Sequence, residues 1–237
     1  MIPKRIHYCW FGEHPLGKLE QRCVESWMRI CPDYEIVLWN EKNSPLEDNE
    51  YVQQAFHMRK WAFVSDYVRL KVISEYGGIY LDTDVEVLKP LDEFLDQSGF
   101  LGFESLKNVA TCVIGSVKHH PFLNWLVQEY DKRTFCSTDG RWDDTTNTRW
   151  LTAILCDMGL QRNGMLQFLS DIAIYPPDIF CPRNLQTGKL CLTERSAAIH
   201  HFAGSWMTPR QRFHTKAAQY LGVENTRRLK RLFRRME

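Results

Sequence analysis

The stretch that decides the fold is Tyr76-Gly77-Gly78-Ile79-Tyr80-Leu81-Asp82-Thr83-Asp84. Two glycines after a helical pattern favour a left-handed helix C-cap, and the apolar run behind them predicts a short buried strand. Asp82 and Asp84 then stand two residues apart at the carboxyl end of that strand, where open α/β sheets bind ligands. Hard divalent cations take carboxylate oxygens and complete their shells with water and phosphates. The pattern predicts a site for Mn²⁺ or Mg²⁺ and a diphosphate; a turn whose carboxylates only cap nearby amides is the alternative.

The segments before this stretch predict strands that alternate with helices. Residues 5–10 and 34–39 read as strands, and residues 19–31 between them place apolar side chains at helical spacing. A long helical pattern then covers residues 52–76, directly before the two glycines. This order predicts an α/β fold with a mainly parallel central sheet flanked by helices.

Beyond Pro90 the elements are shorter. We predict strands at residues 99–103 and 110–114, a loop at residues 131–147, helices at residues 121–130 and 148–158, and a strand that ends near His201. A chain of 237 residues can bury one substantial core. We therefore expect a single domain over residues 1–222, followed by a basic amphipathic helix or tail over residues 223–237.

Composition narrows the class of protein. Thirty basic residues against 29 acidic ones leave a net charge of +1, so the chain has no overall field that would indicate nucleic acid as a partner. None of the eight cysteines stands in Cys-x-x-Cys spacing, which favours reduced thiols. The N-terminus lacks an apolar signal region, and no stretch approaches the roughly 18 apolar residues of a membrane-spanning helix. We expect a cytoplasmic protein.

The C-terminal segment is the strongly basic part of the chain. Residues 227–237 contain five Arg and one Lys against one Glu. Apolar side chains recur at helical spacing among these charges, at Leu229, Leu232, Phe233 and Met236. A basic amphipathic helix of this kind is typical of a peripheral anchor on anionic lipid, which would place the protein at the inner face of the plasma membrane. A solvated tail and a nucleic-acid-binding arm are the alternatives.

A charged pair stands in the middle of the long helical pattern. Asp66 and Arg69 are three residues apart, so they share one face of the helix. Residues 62–70 around them are otherwise rich in core types. An ordinary surface ion pair is one interpretation, and a pair that faces the cleft is the other.

Three ordered motifs now carry a resemblance: Ile2-Pro3-Lys4-Arg5-Ile6-His7-Tyr8-Cys9-Trp10, Phe63-Val64-Ser65-Asp66-Tyr67-Val68-Arg69, and the stretch from Tyr76 to Asp84. Together they resemble the D-x-D sugar-binding glycosyltransferases, which include initiating mannosyltransferases of yeast, bacterial capsule and lipopolysaccharide transferases, and the catalytic domains of large clostridial toxins. The resemblance implies the nucleotide-diphospho-sugar transferase fold of the A type, retention of the anomeric configuration, and dependence on Mn²⁺ or Mg²⁺.

The resemblance also implies roles for single residues. Asp66 and Arg69 match residues that contact the donor sugar, and Tyr80 and Asp82 match residues that line the nucleotide. Asp84 matches the direct metal ligand, whereas Asp82 contacts the ribose, or the metal through water. These four charged residues are the predicted catalytic set.

Further matches lie near the two ends of the chain. Trp10 matches the aromatic residue that stacks on the nucleotide base, although a core indole is the more common role on the residues alone. His200 and His201 belong to a segment similar to the C-terminal His and Ser-Trp loop of the family, which adds metal and phosphate contacts. Because adjacent residues of a strand point to opposite faces, at most one histidine enters the site, and the sequence does not select it. Ser205 and Trp206 are the candidates for phosphate contact.

Two asparagines complete the donor-binding candidates. Asn108, with Glu104, follows the strand at residues 99–103 and is a candidate for sugar contact. Asn147 precedes a helix where relatives have Thr-Gly-Pro and this chain has Thr148-Arg149-Trp150. This departure leaves acceptor recognition open, and N-capping of the helix by Asn147 or Thr148 is the alternative.

The combined prediction is a retaining, metal-dependent glycosyltransferase. It would move a hexose from a nucleotide diphosphate sugar, with a UDP-sugar favoured, to a glycan acceptor that is free or lipid-linked, in the synthesis of bacterial capsule, lipopolysaccharide or exopolysaccharide. The alternatives are an effector-type transferase that modifies a protein, a metal-dependent phosphohydrolase, and a nucleotide-sugar-binding protein without turnover.

Overall fold

The chain alternates strands and helices along most of its length. The computed structural model describes residues 1–138, 140–204, 207 and 209–221. The strands are β1 (Arg5–Cys9), β2 (Glu35–Trp39), β3 (Gly78–Leu81), β4 (Val85–Val87), β5 (Gly99–Phe103), β6 (Val109–Ser116), β7 (Gln167–Leu169), β8 (Ile172–Tyr175) and β9 (Ala198–His200). The helices are α1 (Lys18–Ile30), α2 (Glu50–His57), α3 (Trp61–Tyr76), α4 (Pro121–Tyr130), α5 (Asn147–Asp157), α6 (Pro177–Phe180) and α7 (Pro209–Leu221).

Seven of these strands form one central sheet in the order β2-β1-β3-β6-β5-β8-β7. The pairs β1–β2, β1–β3 and β5–β8 are parallel, and the pairs β3–β6, β5–β6 and β7–β8 are antiparallel. Strands β1, β2, β3, β5 and β8 therefore share one direction, which β6 and β7 oppose. The predicted α/β class is confirmed, and five carboxyl ends meet at one edge of the sheet.

Strand β3 shows how the two faces of this sheet are filled. Ile79 and Leu81 pack with α1 and α6 on one face, while Tyr80 between them packs with α3 on the other. This alternation follows from the two-residue period of a strand. Helices α2 to α5 cover the Tyr80 face, so β3 is buried on both sides and holds the segment behind it in place.

The Gly77-Gly78 turn fixes the entry to β3. Both glycines have positive φ, 66° and 106°, and a Cβ on Gly78 would lie 2.7 Å from the carbonyl oxygen of Arg5. The buried His7 donates from Nε2 to the Gly77 carbonyl at 2.9 Å and accepts at Nδ1 from the Trp39 indole at 3.0 Å. Burial lowers the pKa of His7 to about 4, so the neutral ring ties β1 and β2 to this turn.

A second, two-stranded sheet joins the middle of the chain to its later part. β4 and β9 pair antiparallel, with Val85 opposite His200 and Val87 opposite Ala198. Because β4 begins directly after Asp84, this pairing brings His200 beside the Asp82-Thr83-Asp84 segment.

The prediction of one helix over residues 52–76 is wrong. The structure has α2 and α3 with a break between His57 and Trp61, where Arg59 adopts a φ of 53°. The amide of Lys60 donates to the carbonyl of Ala55 at 2.9 Å and closes the end of α2. The break lets α3 take its own direction, which carries Asp66 and Arg69 to the sheet edge. The hairpin β7–β8 and helix α6 were not predicted.

Several predictions concern residues beyond those described. Residues 222–237 lie outside the described residues, so the division at residue 222 and the basic amphipathic segment stay predictions. Within the described ranges, none of the helices has both the length and the apolar run needed to cross a bilayer. All eight cysteines are free, and Cys9, Cys23, Cys31, Cys112 and Cys181 are buried.

Candidate active site

Asp82 and Asp84 lie at the carboxyl end of β3, in the turn that leads into β4. The amide of Val85 donates to the carbonyl of Asp82 at 2.9 Å and closes this turn. Asp84 is 8% exposed, and its Oδ2 accepts from the amide of Ala203 at 2.7 Å. Its Oδ1 lies 3.3 Å from Nε2 of His200. The turn therefore presents two carboxylates whose side chains converge on one imidazole.

These three side chains have the composition of a metal site. One ligand atom each from Asp82, Asp84 and His200 lies within 4.8 Å of the other two. Carboxylate oxygens suit Mg²⁺ and Mn²⁺, and an added imidazole is compatible with Mn²⁺. Nδ1 of His200 is buried, and no hydrogen bond meets it within ordinary geometric limits. The residues present fit a divalent cation.

The structure selects between the two histidines. His200 points to the carboxylates, whereas His201 lies on the other side of β9 and contacts Oε2 of Glu86 at 2.8 Å through Nε2. Arg22 approaches the same Nε2 at 3.3 Å. Of the two histidines, His200 is therefore the one beside the carboxylates, whereas His201 contacts Glu86 and Arg22.

The electrostatics of Asp84 keep it ionised. Burial alone would raise its pKa, but the charge and hydrogen bond of His200 and the Ala203 amide lower it to about 2. Burial likewise opposes protonation of His200, yet Cys112 and the Asp84 carboxylate hold the pKa of His200 above its ordinary value. Asp84 is thus a permanent anion at neutral pH, which is the state that a cation requires.

Arg69 organises the second half of the site. Its guanidinium lies 2.9 Å from Asp66 Oδ1 and 3.2 Å from Asp82 Oδ1. It also donates from Nη1 to the carbonyl and hydroxyl oxygens of Thr111 at 2.8 and 3.1 Å, and its carbon lies 4.8 Å from the centre of the Tyr80 ring. Arg69 is 5% exposed. Asp66 and Arg69 are therefore a buried pair bound to the D-x-D segment, and the surface-pair interpretation is wrong.

Asp66 is an unusual carboxyl in this network. Burial raises its pKa to about 6, although Arg69 opposes the shift. Its backbone carbonyl accepts from the side-chain amide of Asn147 at 3.3 Å, and Asn147 accepts in turn from the Tyr130 hydroxyl at 3.0 Å. Asp66 is therefore held from α3 and α5 at once.

Asn147 lies inside the fold. It is 3% exposed, and its side-chain amide donates to the backbone carbonyl of Asp66. In this arrangement Asn147 supports Asp66 from behind, and its predicted direct contact with the donor stays a prediction. The capping alternative for Asn147 or Thr148 is wrong, because Thr146 caps α5 by accepting from the amide of Arg149.

Tyr80 acts on the site through Asp82. The residue is 1% exposed, and its hydroxyl donates to Asp82 Oδ1 at 3.0 Å. Together with Arg69 it leaves Asp82 few orientations, so the carboxylate is prepared for a ligand before that ligand arrives.

The remaining predicted residues surround this centre. Trp10 follows β1 at the same sheet edge, is partly exposed, and donates its indole N–H to the His14 carbonyl at 2.5 Å, so it is not a core indole. Glu104 is partly buried after β5, and burial raises its pKa while His200 opposes the rise. Asn108 Oδ1 accepts from Arg162 at 3.1 Å. Ser205 and Trp206 lie outside the described residues.

Two residues of β6 reach the site without having been predicted. Thr111 holds the Arg69 guanidinium, and Cys112 contributes to the surroundings of His200. In the sequence both belong to an apolar run typical of a core strand, and their partners are far away along the chain. Only the polar character of Thr111 within that run offered a signal.

Comparison with known proteins agrees with the geometry. The family described as "Glycosyltransferase sugar-binding region containing DXD motif" matches residues 17–101. This range runs from the residue before α1 into β5, and it contains Asp66, Arg69, Asp82 and Asp84. It ends before His200.

Curated relatives match over a similar part of the chain. Inositol phosphoceramide mannosyltransferase 3 of Schizosaccharomyces pombe is 29% identical over 145 residues, which cover 56% of this chain and 38% of that protein. Mannosyl phosphorylinositol ceramide synthase SUR1 of Saccharomyces cerevisiae is 32% identical over 146 residues, which cover 57% of this chain and 37% of that protein. The matched part of the chain thus spans less than two fifths of the length of these relatives.

Among solved structures, the galactosyltransferase LgtC in complex with donor and acceptor sugar analogs superposes with a TM-score of 0.47 at 12% identity, covering 93% of this chain and 95% of that chain. The match rests on the region itself, which holds the two aspartates of the D-x-D motif and the Asp66–Arg69 pair. Residues 17–101 of the chain are thus similar to the sugar-binding region of the DXD-motif glycosyltransferases.

Proposed function

We propose that the chain is a retaining, metal-dependent glycosyltransferase that moves a hexose from a nucleoside diphosphate sugar to a hydroxyl acceptor. The observation that carries this proposal is the convergence of Asp82, Asp84 and His200 beside the buried Arg69. This arrangement places a candidate cation site next to a fixed guanidinium, at the sheet edge where five strands end. Positive charge at such a place stabilises the negative charge that develops on a departing diphosphate.

Each residue of the site has a task that follows from its contacts. Asp84, Asp82 and His200 would hold the cation, which when bound offsets the charge on the departing diphosphate. Arg69 keeps Asp82 and Asp66 in place through its two ends. Asp66, at the end of this network, is placed to receive hydroxyl groups of the sugar.

A retaining reaction at the front face is compatible with the way the carboxylates are occupied. Asp66 is paired with Arg69, Asp82 with Arg69 and Tyr80, and Asp84 with His200. None of these three carboxylates stands free to attack the anomeric carbon. An oxygen of the departing diphosphate can take the acceptor proton instead, on the face from which it leaves.

We further propose that the acceptor is a glycan carried by a lipid, as in bacterial surface polysaccharide synthesis, and that the protein works at the cytoplasmic face of a membrane. The names of the two yeast relatives describe transfer of mannose to an inositol phosphate lipid, which supports an acceptor with a lipid anchor. A UDP-hexose is the favoured donor, and the mannosyl transfer in these names makes a nucleotide-activated mannose the second candidate.

An exposed apolar surface supports the membrane proposal. Four side chains that are 47% to 64% exposed form what we call the apolar rim, and these are Leu106, Met165, Leu166 and Phe168. The loop after β5 and the loop before β7 lie at the same sheet edge as Asp82. They touch, since a Cβ on Gly164 would lie 2.7 Å from Leu106 Cδ2. Exposed apolar clusters of this kind mark interaction surfaces.

Two cations stand beside the apolar rim. Arg162 donates from Nε to the backbone carbonyl of Lys107 at 2.7 Å, so its guanidinium lies beside the segment of Leu106, and Lys107 is a second basic residue next to Leu106 in the sequence. Anionic lipid headgroups attract such charges while apolar side chains enter the interface. The rim therefore fits a membrane that presents the acceptor to the cleft.

We expect the double variant Leu106→Ser, Met165→Ser to bind anionic vesicles about tenfold more weakly, because two apolar side chains no longer enter the interface. Co-sedimentation of the full chain with phosphatidylglycerol vesicles measures this. Met28→Ser with Met58→Ser is the matched control, since these exposed methionines lie on α1 and after α2. Equal sedimentation of both double variants would exclude the rim as the membrane contact.

The transferase proposal itself is tested by a panel of UDP- and GDP-sugars screened for slow hydrolysis with Mn²⁺. We expect one donor to yield the nucleoside diphosphate and a free sugar that keeps its anomeric configuration, read by NMR at early times. A nucleoside monophosphate and a sugar phosphate would indicate a phosphohydrolase instead. If calorimetry finds no metal-dependent binding of any nucleotide, the proposal fails.

A further inference from the structure

Two buried thiols face each other behind the carboxylate site. Sγ of Cys112 on β6 lies 3.5 Å from Sγ of Cys181, the residue after α6. Both cysteines are nearly inaccessible, at 2% and 3% exposure. One ligand atom each from Cys112, Cys181 and His200 lies within 4.8 Å of the other two. A second group of potential ligands thus shares His200 with Asp84.

The spacing of the two sulfur atoms matches that in a tetrahedral metal centre. Zinc–sulfur bonds are about 2.3 Å long, and a tetrahedral angle then separates two sulfur ligands by about 3.8 Å. The observed 3.5 Å needs only a small relaxation to reach this value. Two thiolates and one imidazole are soft and borderline ligands, which select zinc and its chemical neighbours over magnesium or manganese.

His200 supplies an independent indication of a missing ligand. Its Nε2 faces Asp84, while its Nδ1 is buried without a hydrogen-bond partner. Buried polar atoms in proteins are paired in the great majority of cases, so an unpaired ring nitrogen beside two thiols calls for an explanation. A bound cation in this group would provide one by engaging the imidazole.

We propose that Cys112, Cys181 and His200 form a second metal site, which takes a thiophilic divalent cation of the zinc class. Binding releases the two thiol protons and the Nδ1 proton of His200 to solvent, and it involves no electron transfer. A water molecule completes the tetrahedral shell. The site does not depend on the proposed transferase activity, since its two thiol ligands take no part in the carboxylate site.

The sharing of His200 makes the two sites compete. An imidazole that binds the thiol-site cation through Nδ1 keeps its proton on Nε2, so Nε2 cannot ligate a cation at the Asp82–Asp84 site, which then has two carboxylates only. Zinc is therefore an antagonist of manganese at this centre. Loss of a ligand or of its support typically lowers metal affinity about tenfold or more.

Cobalt spectroscopy tests the thiol site directly. Co²⁺ is added without oxygen to the reduced, metal-free full chain, and we expect a sulfur-to-cobalt charge-transfer band that Zn²⁺ abolishes. Cys112→Ser and Cys181→Ser should each remove most of this band. Cys31→Ser, at another buried cysteine, and Asp82→Asn, at the carboxylate site, should keep it. Absence of the band in the unaltered chain would overturn the proposal. Loss of the band in Cys31→Ser, with the band kept in Cys112→Ser and Cys181→Ser, would overturn it as well.

A second measurement needs no variant, in case a serine in the core prevents folding. X-ray absorption of the zinc-loaded chain should show two sulfur ligands at about 2.3 Å with nitrogen or oxygen ligands at about 2.0 to 2.1 Å. A shell of nitrogen and oxygen alone would refute the thiol site. Chemical proof of a Cys112–Cys181 disulfide in the freshly reduced chain would also refute it.

The shared role of His200 has its own readout. Free Mn²⁺ gives an electron paramagnetic resonance signal, and its loss on binding gives the affinity without any turnover. We expect one equivalent of Zn²⁺ to lower the Mn²⁺ affinity about tenfold or more. Unchanged Mn²⁺ affinity in a zinc-loaded chain that shows sulfur ligands would overturn the competition. If the chain shows the cobalt band but no transferase activity, the proposed function is contradicted and the thiol metal site is not.

Discussion

We expect Asp84→Asn to lower kcat/KM for Mn²⁺-dependent donor hydrolysis by about a thousandfold. The side chain keeps its shape and can still accept from the Ala203 amide, but it loses the negative charge that its surroundings hold in place. Metal-assisted stabilisation of a developing charge is worth several kcal/mol, and about 4 kcal/mol corresponds to this factor. Steady-state kinetics with the donor found in the panel measures the change.

The control for this variant is Glu86→Gln. Glu86 stands two residues further along, on β4, and faces His201 and Arg22 instead of the cleft. Glu86→Gln should keep kcat/KM within about twofold of the unaltered chain. It therefore distinguishes the loss of a charge in the site from the loss of a charge near the site. Calorimetry should show weak Mn²⁺ binding in Asp84→Asn and normal binding in Glu86→Gln. Mn²⁺-dependent turnover in Asp84→Asn close to that of the unaltered chain would rule out Asp84 as the direct ligand.

The largest effect on stability should come from Arg69→Met. Methionine fills much of the volume, but Asp66 and Asp82 lose the cation between them, and two oxygens of Thr111 lose their donor. Removing one partner of a buried ion pair typically costs about 3 to 5 kcal/mol, since the other charge stays buried. Urea unfolding at pH 8 should show a loss of this size in the free energy of unfolding.

Two comparisons identify the cause of that loss. Arg22→Met breaks an exposed pair with Glu86 at 3.3 Å and should cost less than about 1 kcal/mol. Adding Asp66→Asn to Arg69→Met should restore part of the stability. Burial already raises the pKa of Asp66, and Arg69 is what opposes the rise. Without Arg69 the carboxyl protonates at higher pH, so the deficit should be smaller at pH 5 than at pH 8. A deficit independent of pH and of Asp66→Asn would indicate lost packing instead.

Local signals predicted the part of the site that is local in sequence. The glycine turn, the apolar strand and the two aspartates of the D-x-D triplet lie within eight residues, and each follows from backbone preferences or side-chain period. Gly77 and Gly78 both have positive φ, as glycines at a helix end can, but Gly77 has a ψ of −176° and so is not in the left-handed helical conformation that was predicted. Strand alternation likewise predicted that only one of two adjacent histidines faces the carboxylates.

Packing decided what the local signals did not. The break between α2 and α3 contains neither glycine nor proline, and Arg59 takes its positive φ where the two helices are joined. The choice of His200 over His201 depends on the register of β9 against β4, which is a contact between distant segments. Thr111 and Cys112 were hidden for the same reason, because their site partners lie on α3 and on β9.

The hairpin of β7 and β8 is a different case. The two strands are joined by Ser170 and Asp171, with Ser170 at a φ of 54°. The flanking residues do not alternate strictly, and Ser-Asp is not one of the glycine-containing pairs that mark a two-residue hairpin turn, so the local signal was weak. The omission matters for function, since this hairpin carries Phe168 of the apolar rim.

The pairing of β4 with β9 also governs when the site can exist during synthesis. Asp84 accepts from the amide of Ala203, a residue 119 positions later, and its ligand partner His200 comes from the same late segment. A growing chain that has left the ribosome only as far as β5 holds the whole matched sugar-binding region, yet its two aspartates still face no imidazole. Because domains emerge from the N-terminus first, metal capture by the full ligand set must be one of the last events of folding.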